Sequence, residues 1–181
     1  MSSYGGKELA SAFRTVRKNT IQVAEDIPEA QYGHVAGPEC KSVAGMLSHI
    51  AVSTQIWEEV HKKGLTTMVG FDFFGMMDRF NAEENKQRSK AEIVELLRSG
   101  GERFAGWLET ATPEFLEETV TEPDGKTAKT RFERLLGAKE HEMHHRGQLM
   151  LIERQLGIVP HITRQNNERM AQMRSAKAQG L

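Results

Sequence analysis

The sequence lacks an excess of charge of either sign. Its 181 residues include 24 lysines and arginines against 25 aspartates and glutamates. Proteins that bind nucleic acids or anionic membranes through a charged surface usually carry a marked basic excess. The balanced charge therefore predicts that neither nucleic acid nor a membrane is a partner of this chain.

Cysteine and long apolar runs are also scarce. The single cysteine, Cys40, cannot form a disulfide within the chain, and its lone occurrence fits a reducing compartment. No apolar run approaches the roughly 20 residues needed to cross a bilayer, and residues 1–7 contain no apolar signal region. We therefore expect a cytoplasmic protein.

The sequence shows few strand signals, no internal repeat and no alternation of strands with helices. Instead, four long segments carry apolar residues at the spacing of one helix face. Capping boxes, Ser89 with Glu92 and Thr130 with Glu133, mark the starts of the last two. The predicted long helices span about 7–26, 42–63, 89–110 and 130–155. Between and after them we expect a short helix from Thr112, short extended pieces near 118–121 and a polar tail from 163. This pattern predicts an all-α four-helix bundle, one domain over residues 1–181 with its core at about 7–157 and a tail at 158–181.

Residues 64–85 interrupt the helical periodicity but are rich in large apolar side chains. Gly70 and Gly75 punctuate a stretch in which phenylalanine and methionine recur. A solvent-exposed linker would not carry so many apolar groups, so we expect this segment to pack against another part of a protein. The sequence leaves three positions open for it: the end of the bundle, the surface of a partner chain, or the wall of a pocket.

Three of the seven histidines fall within five residues of the fourth predicted helix, inside the stretch 138–148. Because residues four apart share a helix face, His141 and His145 point the same way, on the stripe that contains Leu149 and Ile152. Burying two imidazoles is costly without partners, and a divalent metal ion would hold both in the neutral form. Hydrogen bonds across the core or a place at the rim of the bundle remain alternative explanations.

His49 lies midway along the second predicted helix, beside Met46 and Ile50 and therefore near its buried face. Buried polar groups usually have hydrogen-bond partners, so a core histidine bonded to a neighbouring helix is one interpretation. Helical bundles also build metal sites from side chains on facing helices. On that interpretation, His49 is the natural third ligand beside His141 and His145.

The same stretch spells the zinc-protease pattern H-E-x-x-H, with Glu142 in the place of the general base. The longer metzincin motif needs glycine and histidine where this chain has Gln148 and Leu151, and no upstream segment is typical of a substrate-binding sheet. A zinc hydrolase is therefore a remote alternative. On a helix, Glu142 points about 100° away from His141, which favours a structural or supporting role over base catalysis.

The histidine midway along the second helix, followed by His-x-x-His-His-Arg-Gly-Gln at 141–148 on the fourth, resembles the DinB-like (DinB/YfiT) superfamily of bacterial four-helix bundles. The resemblance covers roughly 7–157 and implies that His49, His141 and His145 bind one divalent metal ion, usually nickel or zinc, with open positions for water. His144 matches an adjacent histidine of the family that is not normally a ligand. Many members are homodimers, and we expect one here.

The resemblance also implies a function. Better-understood relatives are thiol S-transferases and a mycothiol-dependent maleylpyruvate isomerase, in which the metal lowers the pKa of a bound thiol. We therefore expect a metal-dependent thiol S-transferase that acts on a small-molecule electrophile with a low-molecular-weight thiol. The alternative is a non-enzymatic, metal-containing bundle that serves as a binding or interaction module.

Overall fold

The computed structural model describes residues 4–178, which form seven α-helices and one small hairpin. The helices are α1 (Gly6–Asp26), α2 (Val43–His61), α3 (Phe73–Glu84), α4 (Lys90–Glu109), α5 (Pro113–Glu117), α6 (Arg131–Gln155) and α7 (His161–Ala178). A 3-10 turn at Glu29–Gln31 follows α1. Strands β1 (Thr119–Thr121) and β2 (Ala128–Thr130) pair antiparallel, with Val120 opposite Lys129.

The four long helices α1, α2, α4 and α6 form a bundle. Helices α1 and α2 each pack against both α4 and α6, so α1 and α2 occupy diagonal corners. The all-α four-helix bundle predicted from periodicity is confirmed, and the long helices begin and end within a few residues of the predicted positions. None of the helices in the described part of the chain is long and apolar enough to span a bilayer.

Helix starts follow from the caps that the sequence contains. The hydroxyl of Ser89 accepts a hydrogen bond from the amide of Glu92 at 3.3 Å, and that of Thr130 accepts one from Glu133 at 3.1 Å. Both glutamates reach back to the backbone amide of the capping residue, which completes the two predicted capping boxes. The second box sets where α6, the helix that carries His141, begins.

The apolar faces of the long helices meet in two layers of the core. One layer lies around Leu47, Ile50, Leu97 and Leu149, and the other around Phe13, Phe104 and Leu135. The rings of Phe13 and Phe104 contact edge to face, with centroids 4.9 Å apart. These contacts fix α6 against α1 and α2, and therefore fix the direction in which its histidines point.

A buried arginine joins all four long helices. Arg17 of α1 carries a charge, yet the residue is only 3% exposed. Its Nε donates to Glu142 on α6 at 3.0 Å, its Nη1 to the carbonyl of Leu97 on α4 at 2.7 Å, and its Nη2 to that of Ile50 on α2 at 3.4 Å. A Cβ on Gly101 would lie 2.7 Å from Arg17 Cγ, so glycine is needed where this side chain passes α4.

The apolar segment 64–85 contains a helix, α3, that periodicity did not predict. Asp72 caps this helix by accepting a hydrogen bond from the amide of Gly75 at 2.9 Å. Met76 and Phe80, four residues apart, are buried as α3 packs against α2. The first turn of α3, by contrast, is exposed to solvent.

The predicted polar tail is helical as far as Ala178, and residues 179–181 lie outside the described part. The tail helix α7 meets the bundle through His161, which is buried, and through an ion pair of 2.7 Å between Arg164 and Asp26 at the end of α1. Next to this contact lies Glu153 of α6, which is fully buried.

Candidate metal centre

Helices α2 and α6 lie side by side and carry the three predicted ligands. The indole Nε1 of Trp57 on α2 donates to the carbonyl of Arg134 on α6 at 3.0 Å, which holds the two helices in register. His49 lies in the middle of α2, and His141 and His145 lie one turn apart on the facing side of α6.

The structure brings the three histidines into one cluster. Each offers one ring nitrogen, and the three nitrogens lie within 4.8 Å of one another. The Nε2 atoms of His49 and His141 are 3.0 Å apart. The ring centroid of His145 lies 4.6 Å from that of His141 and 4.8 Å from that of His49. The set of residues predicted from the sequence is therefore the set that the fold gathers.

The surroundings of His141 and His145 favour the neutral form of both rings. Burial lowers the pKa of His141 to about 4, with further lowering by the neighbouring His145 and His49. Burial also lowers the pKa of His145, although its hydrogen bond with Gln148 acts in the opposite direction. A neutral imidazole has a free lone pair on one nitrogen, which is the form that binds Zn²⁺, Ni²⁺ and similar ions. The donor set therefore fits a divalent transition metal ion.

Two of the three rings, those of His49 and His145, are oriented by a hydrogen bond at the nitrogen that points away from the cluster. His49 Nδ1 lies 2.8 Å from Glu84 Oε2 on α3, and His145 Nδ1 lies 2.8 Å from Gln148 Oε1. His141 Nδ1 is buried and has no hydrogen-bond partner among residues 4–178. With Nδ1 of His49 and His145 directed outward, their Nε2 atoms are left to face the cluster.

Sequence reasoning did not identify Glu84, which lies at the end of α3. Burial alone would raise the pKa of Glu84, but hydrogen bonds with Lys41 and His49 outweigh burial and hold it below its usual value. One signal was available, because Met76, Phe80 and Glu84 follow one another at four-residue spacing and so share a face of α3.

Aromatic rings and a cation flank the cluster. The ring of Phe80 meets that of His49 edge to face at 5.4 Å, and the ring of Trp57 lies 5.7 Å from that of His141. Lys41 forms an ion pair with Glu84, and its charge contributes to the low pKa of His145. The three histidines themselves are half-buried, so the site combines apolar walls with contact to solvent.

Two neighbours of the ligands on α6 have other roles. His144 is exposed and outside the cluster, although its ring lies 4.9 Å from that of His145. Glu142 is only 1% exposed, and both of its carboxylate oxygens accept hydrogen bonds from Arg17 at 3.0 Å. A carboxylate held in this way inside the core is poorly placed for the general-base role of the H-E-x-x-H motif.

Comparison with known proteins gives the same picture of the fold. The sequence is 25% identical over 152 residues to the uncharacterized protein YjoA of Bacillus subtilis, a match that covers 83% of this chain and 90% of that protein. The crystal structure of YjoA, a DinB-like protein, superposes with a TM-score of 0.62 at 23% identity, over 83% of this chain and 92% of that one.

Two further solved structures share the fold at lower identity. YfiT from Bacillus subtilis, described as a probable metal-dependent hydrolase with an unusual four-helix bundle topology, gives a TM-score of 0.67 at 17% identity, over 87% of this chain and 91% of that one. The mycothiol-dependent maleylpyruvate isomerase gives a TM-score of 0.59 at 11% identity, over 80% of this chain and 62% of that one. The family model for the DinB family matches residues 1–177. Because that match spans nearly the whole sequence, the chain belongs to the DinB family.

Proposed function

We propose that this protein is a metal-dependent enzyme, a thiol S-transferase in which His49, His141 and His145 hold one divalent metal ion, nickel or zinc. The observation that carries the proposal is the convergence of three imidazole nitrogens within 4.8 Å on two facing helices. Three protein ligands are typical of catalytic rather than structural zinc sites, because a further position stays open for water or substrate.

The choice of a thiol rests on chemistry and on one relative. A divalent ion held by neutral imidazoles keeps its full charge and lowers the pKa of a bound thiol, so that thiolate is present at neutral pH. The maleylpyruvate isomerase that shares the fold is mycothiol-dependent. YfiT, in turn, is described as a probable metal-dependent hydrolase, which supports the metal but not the thiol.

The residues around the cluster would bind and shield the reactants. Phe80 and Trp57 flank the histidines with aromatic surface, which excludes water from one side of the site. Lys41, which is half-exposed and close enough to influence His145, would attract an anionic group on the thiol or the electrophile. Glu142 would take no part in proton transfer, because Arg17 occupies both of its oxygens.

The test is a conjugation assay with metal-loaded protein. Bacillithiol, mycothiol, glutathione or cysteine is supplied with a chloro-dinitrobenzene or bimane electrophile. We expect metal-dependent conjugation that is lost in His49→Ala and retained in His144→Ala, since His144 lies outside the cluster. In a cobalt-substituted sample, addition of the thiol should change the absorption spectrum. If no thiol changes that spectrum, the transferase is wrong and the non-enzymatic binding module becomes the better description.

We also propose that the protein is a homodimer that uses the exposed beginning of α3. Phe73 and Phe74 are 50% and 82% exposed, and Val69 just before the helix is 54% exposed. Adjacent exposed apolar side chains of this size are typical of protein–protein contacts. A second copy of the chain is the partner that the family resemblance favours.

A further inference from the structure

Glu84 is an unusual residue for its place in the fold. It ends α3, a helix whose other charged side chains, those of Asp78, Arg79 and Glu83, are exposed or partly exposed, yet it is only 6% exposed itself. One carboxylate oxygen accepts a hydrogen bond from His49 Nδ1 at 2.8 Å, and the other pairs with Lys41. The opposite side of the same imidazole, Nε2, faces the histidine cluster.

The contact determines which nitrogen of His49 carries the proton. A neutral imidazole has one N–H, and a carboxylate can only accept. With the proton on Nδ1 and donated to Glu84, Nε2 keeps the lone pair that a metal ion needs. Ligating histidines commonly donate their second nitrogen to a carboxylate in this way, which fixes the ring and raises its basicity.

The other two histidines lack an equivalent partner. His145 Nδ1 contacts Gln148, a neutral amide on its own helix, and His141 Nδ1 has no partner among residues 4–178. Glu84 is therefore the one carboxylate hydrogen-bonded to the cluster within the described part of the chain, and it comes from a different helix.

The same helix contacts His49 a second time. Phe80 lies one turn before Glu84, is buried, and meets the His49 ring edge to face at 5.4 Å. Helix α3 packs mainly against α2, the helix that carries His49. The position of α3 and the orientation of His49 thus depend on each other.

We propose that Glu84 is a positioning residue that fixes the tautomer and orientation of His49, and that it thereby couples metal binding at the cluster to the docking of α3. This inference rests on the metal site of the proposed function. Coupling of this kind is reciprocal, so a metal ion that holds His49 also stabilises α3 on the bundle. The apolar segment 64–85 then serves as a wall whose docking responds to the metal.

The first experiment reads the tautomer directly, in protein without metal. Long-range ¹H–¹⁵N spectra distinguish the protonated from the unprotonated ring nitrogen of His49 at a pH where the ring is neutral. We expect the proton on Nδ1 in the wild type and in Glu83→Gln, which removes one charge from the same helix but from a residue that pairs with Lys86 and Arg88. In Glu84→Ala the Nδ1 preference should be lost. An unchanged tautomer in Glu84→Ala overturns the positioning role.

The second experiment measures metal affinity by competition with a chelator. Loss of an outer partner of a ligating histidine lowers affinity roughly 10–100-fold, and we expect a fall in that range for Glu84→Ala. Glu84→Gln keeps a hydrogen-bond acceptor without the charge, so its metal affinity should fall less. The metal affinity of Glu83→Gln should match that of the wild type. Equal affinity in Glu84→Ala and wild type overturns the proposal.

The third experiment tests the coupling by hydrogen exchange. Metal should slow amide exchange across α3 in the wild type and in Glu83→Gln, but not in Glu84→Ala. Slowing that survives Glu84→Ala means that α3 responds to metal by another route, and it overturns the coupling. A wild type that binds no metal refutes the proposed function instead, while the tautomer measurement still decides what Glu84 does to His49.

Discussion

Glu153 provides a sharp test of how the end of the bundle is packed. Its side chain on α6 is 0% exposed, and neither carboxylate oxygen has a hydrogen-bond partner among residues 4–178. Burial, with a smaller contribution from Asp26, raises the pKa of Glu153 to about 7 against the opposing charges of Arg164 and Arg154. The folded protein should therefore keep a proton here that most glutamates have lost.

The sign and size of the effect on stability follow from this pKa. An unfolded chain releases the proton near the ordinary value of 4.5, so between there and about 7 the folded state binds more protons than the unfolded state. Stability then falls as the pH rises. The loss from Glu153 is about 3 kcal/mol in all, and about 2.5 kcal/mol of it falls between pH 5 and pH 8.

The substitution Glu153→Gln removes the titrating group with little change of shape. Because the variant escapes the loss that the wild type suffers, its free energy of unfolding in urea should rise relative to that of the wild type by about 2.5 kcal/mol between pH 5 and pH 8. Glu168→Gln, on an exposed part of α7, controls for the loss of a carboxylate. Parallel pH profiles for wild type and Glu153→Gln would refute the reasoning, because the folded carboxyl would then ionise like an unfolded one.

Other predictions concern stability and assembly. Glu142→Leu should lower the free energy of unfolding in urea by about 3–5 kcal/mol, because it leaves the charge of Arg17 buried without its carboxylate partner. Adding Arg17→Met should recover most of that loss. A double variant no more stable than Glu142→Leu would contradict this. Gly101→Ala should destabilise the protein by roughly 1–3 kcal/mol through its clash with Arg17. Gly106→Ala, with open space around it, should stabilise it by about 1 kcal/mol. Equal changes in stability for the two variants would contradict the close approach of Arg17 to Gly101. Sedimentation at micromolar concentration should show a dimer that Phe74→Asp weakens, and a monomeric wild type would rule the dimer out.

The four long helices could be predicted because the local signals agree with the fold. Apolar stripes at helical spacing, the capping serine and threonine, and the glycines and prolines beyond the helix ends all indicate the observed elements. Helix α3 was missed because only Met76 and Phe80 of its many apolar residues are buried, while Phe73 and Phe74 are largely exposed. Periodicity cannot distinguish apolar side chains that are buried from those that are not.

The candidate site shows the same division between local and distant information. The four-residue spacing of His141 and His145 is local. The expected bundle and the family resemblance, rather than spacing, added His49 to the predicted set. The residues that hydrogen-bond with His49 and Glu142 come from other helices. Arg17 lies 125 residues from Glu142, and Glu84 lies 35 residues from His49. These pairs depend on how the helices pack, which one sequence does not reveal.

The most direct test of the account is elemental analysis of untagged protein. We expect one divalent metal ion per chain in the wild type, because the three imidazole nitrogens already lie within 4.8 Å of one another. His141→Ala should lose this stoichiometric metal while His144→Ala keeps it. Absence of bound metal from the wild type, or equal loss of metal in His141→Ala and His144→Ala with the fold intact, would contradict the account.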